Sequence, residues 1–363
     1  MTQSTLTTLQ LNRALLARQF LLKREKTTAL KVIEGLVGIQ AQLARPPFLG
    51  LWSRVAQFDS AQLAKLAHRK AVVRVTSMRG TLHLMSTRDF LKFRSPLQPV
   101  LDRGMRGVLR ERPKTFDLEQ LMAEASAFFA ATPAPFEALR KHLSKLHPLG
   151  DVRAMAYAVR CTLPLVMVPT DHPWTWPGAA QFTPAQAWLG KKVPAAADPK
   201  QLVLRYLAAF GPATPADAQN WSGLQNLSDS FEALRPKLKT FADQRGRELF
   251  DLPDAPRPAA ATPAPARFLP DWDTLVMGHA DRTRVIDDAY RKKIATNNLQ
   301  VTATFLVDGR VAGTWKLERR KTAAALVMTP FERLSRAARA ELEEEGQALL
   351  RFAEPEALTF SVR

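Results

Sequence analysis

The sequence predicts a mixed α+β protein in which tandem winged-helix (helix-turn-helix) units precede a small antiparallel sheet. Three observations lead there. A helix-helix-strand order recurs three times before residue 251. A Pro/Ala-rich stretch at 251–267 separates those repeats from segments that alternate or run apolar in the manner of strands. Met78-Arg79-Gly80-Thr81 lies between two runs of β-branched and apolar residues, as the turn of a hairpin does.

Taken in order, residues 7–22 and 27–44 place apolar side chains at helical spacing, each opened by a threonine able to cap a first turn. Residues 60–70 give a third helix with Ser60 as its N-cap, and 71–86 give the hairpin. Three short helices and a hairpin make a winged helix, whose usual use is to lay a helix and a wing on a duplex. Residues 117–147 repeat the pattern as two helices broken by Thr-Pro-Ala-Pro, followed by a helix at 152–160 and a strand at 165–169. Residues 199–240 repeat it again, with a strand near Glu248-Leu249-Phe250. Each Thr-Pro pair stands where a helix starts, since proline is tolerated in a first turn. Residues 251–267 read as a linker or long surface loop. Strands follow at 299–307, 311–317 and 324–329, the first two turning at Asp308-Gly309, then a helix at 329–352 and a last strand at 358–362. The expected domains are 1–112, 113–198, 199–250 and 268–363, with 251–267 as the connection.

The net charge of +18 favours a polyanionic partner. Residues 1–110 carry 19 Lys and Arg against 5 Asp and Glu, so the N-terminal third is the electrostatic head. Cys161 is the single cysteine, which excludes an intramolecular disulfide and a thiolate zinc site within the chain. No signal-peptide pattern and no uninterrupted apolar run of membrane-spanning length occur, so a cytoplasmic, nucleoid-associated protein without membrane contact is expected. Nucleotide-binding glycine motifs are absent from the sequence.

Within the basic head, Val37-Gly38-Ile39-Gln40-Ala41-Gln42-Leu43-Ala44-Arg45-Pro46-Pro47 puts two glutamines in an apolar segment read as a helix that the prolines must end. Residues i and i+2 on a regular helix point to different faces, so Gln40 and Gln42 converge only if the last turn unwinds, or else they do different jobs. Arg45, Arg54, Arg74 and Arg79 are candidates for tracking a phosphate backbone. His83, beside the Arg79-Gly80 turn, either contacts phosphate or a lesion or is satisfied at a strand edge. The aromatic group His172–Pro177 is expected to pack between units rather than stack on a base. Asp271 and Asp273 have no His or Cys neighbours to complete a metal set, so they read as a structural loop, and no metal or cofactor is expected.

The motifs Gly38-Ile39-Gln40-Ala41-Gln42, Met78-Arg79-Gly80-Thr81-Leu82-His83-Leu84, Phe268-Leu269-Pro270-Asp271-Trp272-Asp273 with Gly278, and Gly309-Arg310-Val311-Ala312-Gly313-Thr314-Trp315 together resemble the winged-helix DNA glycosylases of the AlkZ/YcaQ type, in the same order across residues 8–360. The resemblance implies tandem winged helices in a C-shape and a C-terminal β-rich domain. It also implies excision of N7-alkylated purines from double-stranded DNA, including interstrand crosslinks and bulky natural-product adducts, by a monomer acting as a monofunctional glycosylase. The family motif is Gln-x-Gln in AlkZ-like members and Gln-x-Asp in YcaQ-like ones, so Gln40-Ala41-Gln42 points to the AlkZ-like branch and assigns water positioning and sugar stabilisation to the two amides. The competing class is a non-catalytic DNA binder, a transcriptional regulator or a lesion-binding protector, built on the same winged helices.

Overall fold

The computed structural model describes residues 4–110, 116–196, 198–295 and 300–363. The chain opens with β1 (Thr5–Leu6) and α1 (Thr8–Arg18), where Thr7 and Gln10 form a capping box. It continues through α2 (Ala29–Gly35), capped by Thr28, β2 (Ile39–Gln40), α3 (Pro46–Trp52) and α4 (Ser60–His68). Asp59 caps α4 in place of the expected Ser60, which is the first helical residue. The hairpin forms as β3 (Val72–Thr76) and β4 (Leu82–Ser86) around a tight turn at Met78–Gly80. Two helices follow it, α5 (Thr87–Phe93) and α6 (Gln98–Leu109).

The second repeat comprises α7 (Leu118–Ala131), α8 (Phe136–Leu146), α9 (Val152–Thr162), β5 (Leu165–Met167), β6 (Phe182–Pro184) and α10 (Ala185–Leu189). The third comprises α11 (Pro199–Phe210), α12 (Pro215–Ser222), α13 (Ser228–Leu234), β7 (Lys239–Asp243) and β8 (Glu248–Asp251). The C-terminal part holds β9 (Arg267–Leu269), α14 (Thr274–Met277), α15 (Arg291–Ile294), β10 (Thr304–Val307), β11 (Arg310–Arg320), β12 (Ala323–Pro330), α16 (Arg336–Ala353) and β13 (Thr359–Val362). The expected strand at 299–307 begins only at Thr304, and Leu299 lies outside the described residues. The expected helix at 329–352 starts later, because β12 runs through Pro330 and Ser335 supplies the N-cap.

Strand pairing ties the repeats together. One sheet runs β2-β4-β3-β5-β6, so the first two hairpins share a single five-stranded sheet instead of standing as separate wings. The third hairpin takes β1 as its parallel edge strand, and the C-terminal sheet runs β13-β12-β11-β10-β9. The Pro/Ala-rich stretch is a surface loop held along α1: Arg13 Nε donates to the Thr262 carbonyl at 2.7 Å, and Arg18, itself paired with buried Asp251, donates to Pro256 O. Asn12 Nδ2 donates at 2.8 Å to both Arg284 O and Gly309 O, joining α1 to the C-terminal part. Among the described residues no helix is long and apolar enough to cross a membrane.

Candidate active site

The glutamine pair is not in a helix. After Gly35 the chain reverses through Val37 at φ +58° and Gly38 at φ +102°, and Ile39–Gln40 emerges as β2. Glycine suits that reversal: a Cβ at 38 would stand 3.0 Å from Met85 Cγ and 3.2 Å from the Leu84 carbonyl oxygen. Pro46 and Pro47 begin α3 instead of ending a preceding helix, since a helix's first turn has no need of their missing N–H groups. The motif is therefore a short edge strand and turn between two helices.

The end of β2 separates the two amides: Gln40 is in the sheet and Gln42 is not. Gln40 lies opposite His83, and that row continues through Val75 and Val166. The adjacent row holds Leu84, Arg74, Met167 and Phe182, on the other face of the sheet by strand alternation. Gln40 is 4% exposed, and its Oε1 accepts from Arg79 Nη2 at 2.7 Å. Gln42 lies beyond the strand and is exposed. Its Oε1 accepts only a long contact, 3.4 Å, from the Leu82 amide, and it lines a cavity of about 820 Å³.

The predicted arginines are mostly turned inward. Arg74 donates from Nε to Ala41 O at 2.9 Å and from Nη2 to Gln42 O at 3.1 Å, so it clamps the motif backbone while also lining the cavity. Arg79, at φ +54°, donates to Trp221 O as well as to Gln40, joining the hairpin turn to the third repeat. Burial is the main cause lowering both guanidinium pKa values to about 10, with Arg160 adding to the effect on Arg74 and Arg282 on Arg79. Arg45 pairs with Glu354 at 2.7 Å and still reaches the cavity wall. Arg54 does not face solvent: its side chain is 1% exposed and makes a two-pronged bond to Asp273, at 2.9 and 2.7 Å. Its sequence assignment to phosphate is corrected accordingly, because burial against its own carboxylate leaves no surface for a ligand.

His83 takes the satisfied alternative. Its Nδ1 donates to Thr81 O at 3.1 Å, and burial, reinforced by Arg79, lowers its pKa to about 3. Asp271 and Asp273 are structural: Asp271 accepts from Ala303 N, and Asp273 caps α14 besides holding Arg54. Trp176 is buried, and its Nε1 donates to Met167 O at 3.2 Å. Trp174 packs edge-on against Phe48 of α3, its ring centroid 5.2 Å away. Among the described residues no group of three or more His, Cys, Asp or Glu side chains could hold a metal ion.

The far wall of the cavity comes from the second repeat and escaped the sequence reading. It includes Tyr157, Arg153 and Arg160 on α9, and Glu137, which is paired with Arg140. The signal was available, since Arg153, Tyr157 and Arg160 stand at i, i+4 and i+7 of a helix. It was hidden because a shared cavity wall depends on the union of two hairpins in one sheet.

The profile of the family described as "DNA glycosylase AlkZ-like" matches residues 33–352. The chain is 24% identical over 367 aligned residues to a Streptomyces sahachiroi protein named "Interstrand DNA cross-link repair glycosylase", covering 92% of this chain and 93% of that one. Its fold is similar to the solved structure of Streptomyces sahachiroi DNA glycosylase AlkZ, with a TM-score of 0.78 and 20% identity over 99% of this chain and 100% of the other.

Proposed function

The chain belongs to the AlkZ-like family of DNA glycosylases, and we propose that it hydrolyses the N-glycosidic bond of N7-alkylated, cationic purines in duplex DNA, unhooking interstrand crosslinks when the alkyl group bridges two strands. The observation that carries this reading is Gln42, a neutral amide on the wall of a basic cavity whose one lining carboxylate among the described residues, Glu137, is paired with Arg140. A neutral purine is a poor leaving group and calls for acid or carboxylate assistance. An N7-alkylguanine already carries the positive charge that departs with it, so modest help suffices.

In this mechanism the Gln42 carbonyl oxygen accepts a hydrogen bond from a water and aims it at C1′, its dipole facing the charge that develops on the sugar. An amide takes up no proton at neutral pH, so the role is positioning and not general-base catalysis. Gln40 acts from behind, with Arg79 fixing its amide and Arg74 fixing the backbone of Ala41 and Gln42. Gln40 is thus a positioning residue and Gln42 the group that touches the reacting atoms. The three repeats serve as tandem winged helices that bring the duplex to the cavity. Both of its walls come from one chain, so a monomer suffices, working in the cytoplasm at the nucleoid.

The test incubates the protein with duplexes carrying one N7-methylguanine or one nitrogen-mustard crosslink, with released base quantified chromatographically and abasic sites cleaved by alkali. Free base and strand breaks above the protein-free control are expected. Their absence with both substrates would overturn the reading.

A further inference from the structure

We propose that the cavity-facing side of α9 is a phosphate subsite for the lesion-bearing strand, in which Arg153 and Arg160 hold backbone phosphates on either side of Tyr157. The proposal rests on the glycosylase reading for the identity of the strand, but not for its chemistry. The three residues share one helix face, and Ala156 leaves room beside them on the same wall. The arginines near the glutamine motif all donate to protein acceptors: Arg45 to Glu354, Arg54 to Asp273, Arg74 to the motif backbone, Arg79 to Gln40. Arg153 and Arg160 differ. Among the described residues neither makes a hydrogen bond or ion pair with a protein acceptor.

Arg160 is half-buried, and it lies close enough to Arg74 to depress that guanidinium, so two cations share the wall without a carboxylate between them. A guanidinium so placed keeps several N–H donors facing the cavity, and an anion with paired oxygens satisfies them. The ligand chemistry is therefore that of a phosphodiester. Seven helical residues set the two arginines about 10 Å apart along the helix axis, a span within which two phosphates of one strand fit. Because Arg74 also holds the backbone of Gln42, a strand seated on Arg160 passes beside that amide. The grip on the damaged strand thus lies in the second repeat, whereas the chemical group lies in the first.

The experiment measures the affinity of the full chain for a lesion-free duplex by fluorescence anisotropy at several salt concentrations. The variants are Arg153→Gln with Arg160→Gln, Arg153→Lys with Arg160→Lys, and Lys191→Gln with Lys192→Gln. The last pair is exposed, lies outside the cavity and removes the same charge as the first. Each lost phosphate contact should lower the slope of log K against log salt by about 0.9, so the glutamine double variant loses about 2. The lysine double variant and the Lys191/Lys192 control keep the wild-type slope. On an N7-methylguanine duplex the glutamine variant raises KM at least tenfold, with kcat nearly unchanged. A slope unchanged in the glutamine variant, or lowered equally by the control, overturns the subsite. So does a lysine variant as impaired as the glutamine one, since packing and not charge would then be responsible. Should the double variant fail to fold, the exposed single change Arg153→Gln still predicts a loss of about 0.9. A fall in slope from a protein that releases no base would keep the phosphate subsite and remove the glycosylase reading instead.

Discussion

Gln40 and Gln42 are two residues apart and chemically identical, yet the end of β2 at Gln40 gives them different surroundings. Gln40 sits under Arg79 opposite His83, and Gln42 opens on the cavity. Gln42→Ala should therefore lower base release tenfold or more while duplex affinity stays within about twofold, as single-turnover kinetics and anisotropy will measure. Gln40→Ala should also slow release, but with a loss of stability: the Arg79 guanidinium loses a buried acceptor, a change of about 1.5–3 kcal/mol that urea unfolding reads. Equal stability and equal rate loss in the two variants would remove the distinction. The pair was legible in the sequence. Its two different surroundings were not, because they follow from Gly38 and the two prolines replacing an expected helix with a short strand and a turn.

The two buried histidines give a pH dependence with a definite sign. Burial, the largest cause for each, lowers His83 and His279 to about 3, against an ordinary value of 6.5. In the unfolded chain both take up protons below that ordinary value, whereas in the folded chain they stay neutral. Their contribution to stability is thus full above pH 6.5 and is lost as pH falls toward 3, by about one proton per histidine. Thermal unfolding followed between pH 7 and pH 5 should show a falling midpoint, with a shallower fall in His83→Gln. Base release should be nearly flat from pH 6 to pH 8, because His83 has no titration there.

Among the elements, helices were readable from periodicity and caps, and sheets much less so. Thr7 and Thr28 cap helix starts as the threonine-opened segments predict, Asp117 caps α7 in addition, and the β3–β4 hairpin forms around its glycine turn. What local pattern cannot carry is the pairing of β3 with β5, a contact between chain segments some ninety residues apart that builds the cavity. Two substitutions probe how these elements are joined. Gly38→Ala forces a side chain into positive φ against a backbone carbonyl and should cost more than about 1 kcal/mol in urea unfolding. Arg54→Ala leaves Asp273 buried without its partner, severing the link between the segment after α3 and the N-cap of α14, and should cost about 3–5 kcal/mol. DNA affinity of the folded Arg54 variant should match wild type. Weakened binding without loss of stability would restore that residue to the phosphate contacts expected from the sequence.

Across the chain as one body, the charge count was legible but its use was not. Residues 1–110 carry most of the excess, yet Arg13, Arg18 and Arg54 spend their charge on Asp308, Asp251 and Asp273, holding the N-terminal repeat to the rest of the protein. The motifs near Asp271 and Gly309 belong to the same joinery: a Cβ at Gly309 would come within 2.9 Å of both Asn12 Oδ1 and Arg13 Nη1. What remains open is a cavity lined by Gln42 and several arginines, where the proposed mechanism places the damaged base.

Under the proposed mechanism the leaving group's own charge is the decisive variable. The most direct measurement compares single-turnover base release by the unmodified protein from matched duplexes that differ only in the lesion: N7-methylguanine against uracil, 8-oxoguanine and 1,N6-ethenoadenine. Release of the cationic base alone is the expected result. Efficient excision of any uncharged base would contradict the account, because the amide of Gln42 has no acidic proton to give and no negative charge to offer a bond that does not already favour breaking.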